Sequence, residues 1–152
     1  MKPRLAAPFL ALVLLGTGAA ALAASPGDTI RAREANFKQL GKGMKATMDQ
    51  LKSGSPDLAV IRAAAAQIVP AAQHVPGLFP KGTGPESGVK TEALPEIWTK
   101  PMEFRTATDK LTSAATAFKA AADAGDLTRI KAATMALGGS CKGCHDSFRQ
   151  KD

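Results

Sequence analysis

The stretch Gly125-Asp126-Leu127-Thr128-Arg129-Ile130-Lys131-Ala132-Ala133-Thr134-Met135-Ala136-Leu137-Gly138-Gly139-Ser140-Cys141-Lys142-Gly143-Cys144-His145-Asp146-Ser147-Phe148 decides how this chain folds. Leu127, Ile130, Leu137, Cys141, Cys144 and Phe148 recur at helical spacing and predict one apolar stripe. Asp126 is a residue type that caps a helix start, and Gly125 is one that ends the helix before it. Working backwards, that earlier helix starts near Thr99 or Lys100. It carries Phe104, Leu111 and Phe118 at seven-residue intervals, with Ala107 and Ala114 between them.

Two further helices precede these. Phe37, Leu40, Met44, Met48 and Leu51 share a face over about residues 29–52, with Asp28 as the expected cap and Gly54 just past the end. Ser55-Pro56 opens the next, whose stripe is Leu58, Ile61, Ala65 and Ile68 and whose end is expected before Pro70 or shortly after it. Between His74 and Trp98 the periodicity disappears among Pro76, Pro80, Pro85 and Pro95, which predicts a long loop. Abundant alanine and scarce β-branched runs favour helix throughout. The expectation is an all-α chain, an antiparallel four-helix bundle with short first and last connections.

The N-terminus reads differently. Lys2 and Arg4 precede an apolar run from Leu5 to Leu15, and Ala21-Leu22-Ala23 closes it. That order describes a cleaved secretory signal, residues 1–23, followed by one domain over residues 24–152. Pro8, Gly16 and Gly18 interrupt the run, and it is short for a bilayer crossing, so stable membrane insertion is not expected. The formal charge is +7 at pH 7, and removing the signal lowers it by two. A mild positive excess suits a solvated surface or docking with acidic redox partners. No basic cluster interleaves with aromatics, which leaves nucleic-acid binding unsupported.

The chain holds two cysteines, sent by the signal into an oxidising compartment. Their setting, Cys141-Lys142-Gly143-Cys144-His145, is the C-x-x-C-H signature of covalent haem attachment. On a helix the positions i, i+3 and i+4 share a face. Both thiols can therefore add across the vinyl groups of one porphyrin while His145 offers an axial nitrogen to the iron. A zinc site would need further ligands, and His74 is the one other histidine. A thiol–disulfide enzyme would want the motif at a helix start in a strand-rich fold. One motif means one haem c.

The motif lies on the last helix. With Leu94-Pro95-Glu96-Ile97-Trp98, Ala120-Ala121-Ala122-Asp123-Ala124-Gly125-Asp126-Leu127 and Gly139-Ser140-Cys141-Lys142-Gly143-Cys144-His145-Asp146-Ser147-Phe148-Arg149, that placement resembles the class II c-type cytochromes, the cytochrome c prime family. The resemblance spans residues 24–152 and is most specific towards the C-terminus. It implies a first-helix arginine near a haem propionate and, four residues on, the side chain over the iron. Taking Arg33 as that arginine places Phe37 there; taking Arg31 places Ala35. Neither ligates iron, so the resemblance implies a five-coordinate, high-spin haem, whereas a low-spin branch uses a first-helix methionine. Met44, Met48 and His74 are the other candidates for a sixth ligand. The resemblance also places Arg149 beside the proximal imidazole and Glu34 and Glu92 near the haem periphery. Trp98 is expected at the loop-to-helix junction.

The function so implied is one-electron transfer in a bacterial periplasm with redox partner proteins. The alternative is binding or buffering of nitric oxide or carbon monoxide. No acid–base histidine is expected near Phe37, so an enzyme is not expected. The resemblance also implies homodimers through the first two helices, which the stripes alone do not separate from core packing.

Overall fold

The computed structural model describes residues 24–151, so the expected signal segment lies outside the described residues. Five α-helices follow in order: α1 (Pro26–Lys52), α2 (Leu58–His74), α3 (Glu96–Thr99), α4 (Pro101–Ala124) and α5 (Leu127–Phe148). Short 3-10 turns at Val75–Leu78 and Pro85–Ser87 shape the crossing between α2 and α3. The four long helices form the antiparallel bundle: α1 packs on α2, α2 on α4 and α4 on α5. The fourth side, between α1 and α5, closes along a much shorter seam.

Two helix starts differ from expectation. Helix α1 starts before Thr29 because Ser25 is the cap, accepting from the Asp28 N–H at 3.1 Å, with Pro26 in the first turn. The Asp28 carboxylate instead accepts from the Ser25 hydroxyl at 2.6 Å. Helix α2 is capped by Asp57, whose carboxylate accepts from Ala59 N–H at 2.8 Å, rather than by Ser55. It also runs through Pro70 to His74. Proline is tolerated here because Pro70 and Ala66, the residue whose carbonyl loses its donor, both lie on the solvent side. The expected turn at Gly125-Asp126 is as read: Gly125 is left-handed at φ 73°, and Asp126 accepts from Thr128 and Arg129 N–H.

The stripes meet in one core. Ile61, Ala65, Ile68, Phe118 and Ile130 are wholly buried, with Leu111, Leu137, Phe104 and Phe148 around them. Met48, 44% exposed, and Leu127, 37% exposed, fall outside it. The α1–α2 contact is close enough to need glycine: a Cβ on Gly43 would sit 2.7 Å from Ile68 Cγ1. At the opposite end of α4, Arg62 of α2 donates to the Ala122 carbonyl at 3.1 Å and so satisfies a helix-end acceptor.

Candidate functional site

The last two turns of α5 carry Cys141, Cys144 and His145. Both thiols are free and half-buried against the core. Burial raises both thiol pKa values, that of Cys144 to about 11 with the neighbouring Cys141 adding to the rise. The two are therefore neutral thiols near pH 7. His145 shifts the other way, lowered first by desolvation and then by the Arg149 charge, against Asp146 and Glu92. The shift favours the neutral imidazole, the form that ligates a metal.

Across the thin seam stands α1. The Phe37 ring meets the His145 ring edge-on, centroids 6.3 Å apart. The other candidates for an iron ligand lie elsewhere. Met44 packs near Gly138, seven residues before His145 and so about 10 Å back along α5 at helical rise. Met48 is one turn further still, and His74 is exposed at the end of α2. Between the two arginines, Arg31 is exposed and paired with Asp28, whereas Arg33 is 4% exposed.

The long crossing closes over this seam. Arg33 donates to Leu78 O at 3.0 Å, Thr91 Oγ1 at 3.3 Å, and Thr83 O and Oγ1 at 3.1 and 2.7 Å. Burial lowers its pKa, and Glu34 and Glu86 oppose that shift. Trp98 sits at the loop-to-helix junction, its indole N–H shared between the Phe79 and Pro80 carbonyls at 3.1 and 3.2 Å. A second tie fastens the loop beyond His145. Leu94 N–H donates to Phe148 O at 3.0 Å, Gln150 N–H to Glu92 O at 2.8 Å, and Arg149 Nε to Glu92 Oε2 at 2.6 Å. The Arg149 guanidinium holds the Glu92 carboxyl below its ordinary range, chiefly through that hydrogen bond.

The structure thus gathers Phe37, Cys141, Cys144 and His145 at one seam, with Arg149 and Glu92 beside its outer edge. Glu34 stays exposed on α1 beside Arg33. Sequence reading missed Phe79, whose ring touches Phe37, Phe104 and Trp98. A crevice of about 500 Å³ between α4 and α5 reaches Cys144 but is lined by none of Cys141, His145 or Phe37, so it flanks the site.

The family profile described as Cytochrome C' matches residues 28–149. The chain belongs to the cytochrome c prime family. Cytochrome c prime from Rubrivivax gelatinosus is 38% identical over 128 residues, covering 83% of this chain and 97% of that protein. Among solved structures, cytochrome c prime from Thermochromatium tepidum superposes with a TM-score of 0.79 at 28% identity, covering 84% and 98% of the two chains. A ferrous variant from Alcaligenes xylosoxidans with bound nitric oxide gives 0.77 at 28% identity, covering 86% and 99%. As a cytochrome c prime this chain is a mono-haem c-type cytochrome, and Cys141 and Cys144 are its two thiols for covalent attachment. The residues present fit the group: two neutral thiols, a neutral imidazole and an apolar ring opposite it, on the side where the bundle is least closed.

Proposed function

We propose that this cytochrome works in the bacterial periplasm as a one-electron carrier, exported by residues 1–23, with His145 the single protein ligand to iron and Phe37 on the opposite side. The observation that supports this reading is the Phe37–His145 ring contact at 6.3 Å, because a phenylalanine beside the axial imidazole offers no donor atom to iron. When bound, the haem supplies the redox centre. The chain's own part is to fix its orientation through two thioether positions, to keep the axial imidazole neutral, and to shield one side with apolar rings.

The same observation favours a second role, binding of nitric oxide or carbon monoxide beneath Phe37. The nitric oxide bound to the Alcaligenes xylosoxidans relative supports it. The two roles are compatible in one protein.

Absorption spectra of the ferric, ferrous and carbon-monoxide-treated ferrous protein test both. A broad ferrous band and a large shift with carbon monoxide are expected. Sharp, split ferrous bands unmoved by carbon monoxide would mean a sixth protein ligand and overturn the open-site reading.

A further inference from the structure

Arg33 and Phe37 stand one turn apart on α1 and share a face. One loop residue touches both. The Arg33 guanidinium lies over the Phe79 ring at 4.1 Å, and the Phe37 ring meets Phe79 edge-on at 6.3 Å. Phe79 is held from behind as well, by Phe104 at 5.0 Å and Trp98 at 6.2 Å, while its carbonyl accepts from the Trp98 indole. Phe37 therefore meets two rings edge-on, Phe79 from the loop and His145 from α5.

A buried guanidinium is unfavourable unless its donors are satisfied. Those of Arg33 go to three points of the loop, Leu78, Thr83 and Thr91, and its flat face stacks on Phe79. Lysine keeps the charge but loses both the fork of donors and the stacking plane.

We infer that Arg33 is the positioning residue of the site's distal side: it clamps the crossing loop so that Phe79 backs Phe37 and fixes it before His145. This rests on the reading that small ligands enter beneath Phe37. A ligand arriving there displaces the Phe37 ring, and Phe79 is the wall that ring moves against. The loop, through Arg33, sets how readily it yields.

The test is the rate of carbon monoxide binding to the full-length ferrous haem protein in Phe79→Leu, Arg33→Lys and Phe37→Leu, alone and with each of the first two combined with Phe37→Leu. Losing one edge-on ring pair is worth roughly three- to tenfold in rate, so Phe79→Leu and Arg33→Lys each speed binding by about that factor. In the Phe37→Leu background both effects shrink to less than about twofold, because the ring they act through is gone. Trp98, the single tryptophan, provides a readout independent of the haem ligand. In Arg33→Lys its residual fluorescence becomes more open to quenching by acrylamide.

Unchanged rates in Phe79→Leu and Arg33→Lys, with a faster Phe37→Leu, would overturn the clamp and leave the open site standing. Additive effects that persist without the Phe37 ring would overturn it too, because loosening would then be general. Should neither the wild type nor Phe37→Leu bind carbon monoxide, the open-site reading falls first and the inference with it.

Discussion

Helix α1 has two long neighbours, and its two seams are built on opposite plans. Towards α2 it is locked. Gly43 brings the backbone against Ile68, Thr47 is wholly buried and bonds back to the Gly43 carbonyl, and Asn36 donates to Ala71 O at 2.9 Å. Towards α5 it offers the partly buried Phe37 to the His145 ring and Met44 to the backbone near Gly138. Stability is concentrated on the first seam and chemistry on the second. A site that must take in a flat cofactor is placed where the protein's own packing is thinnest, and the rigid seam behind it keeps that opening in shape.

The sharpest way to break this division is at the thiols. Replacing Cys141 and Cys144 together by Ala removes covalent haem entirely, read as loss of haem stain on a denaturing gel. The helical circular dichroism of the α1–α2–α4 wall survives. A chain that loses its helicity as well would show that the two seams do not stand apart.

Next in size is a cavity behind the locked seam. Ile61→Ala, at a wholly buried site, destabilises by about 2–5 kcal/mol in urea unfolding. Met44→Ala, on the thin seam, costs clearly less, about 1 kcal/mol by partial area loss, and leaves the ferrous spectrum as in the wild type. Equal costs, or a spectral change in Met44→Ala, would blur the distinction.

The smallest effect concerns the clasp beyond His145. Glu92 has its carboxyl lowered by Arg149, so the clasp's contribution is complete above the ordinary glutamate value of 4.5 and is lost as pH falls through the lower folded-state value. Glu92→Gln removes that dependence, and its urea midpoint changes less than the wild type's between pH 5 and pH 3. Parallel profiles would mean that the pair is too exposed to matter.

Much of this division was legible beforehand. The stripes through Ile61, Phe118 and Ile130 follow from periodicity, and Cys141-Lys142-Gly143-Cys144-His145 names its own chemistry. The Gly125-Asp126 junction was clear because each residue has one strong local role. Elsewhere local signals competed. Asp28 masked the better cap at Ser25, and Pro70 left the end of α2 open because sequence does not reveal that its turn faces water. The loop was opaque for another reason. Phe79 lies among prolines and glycines with no period, and its partners Arg33 and Phe37 are over forty residues away. Glu92 and Arg149 are likewise joined only by the completed fold. The one available hint was the one-turn spacing of Arg33 and Phe37, which puts a cation and a ring on the same face.

The tight passage at Gly43 bears on how such a protein can diversify. Any side chain there collides with α2, so the rear face of α1 admits little change. The front face is looser: the partly buried Phe37 meets the Phe79 and His145 rings with centroids 6.3 Å away. Single substitutions at that ring can therefore reshape the seam towards α5 while leaving the α1–α2 packing intact.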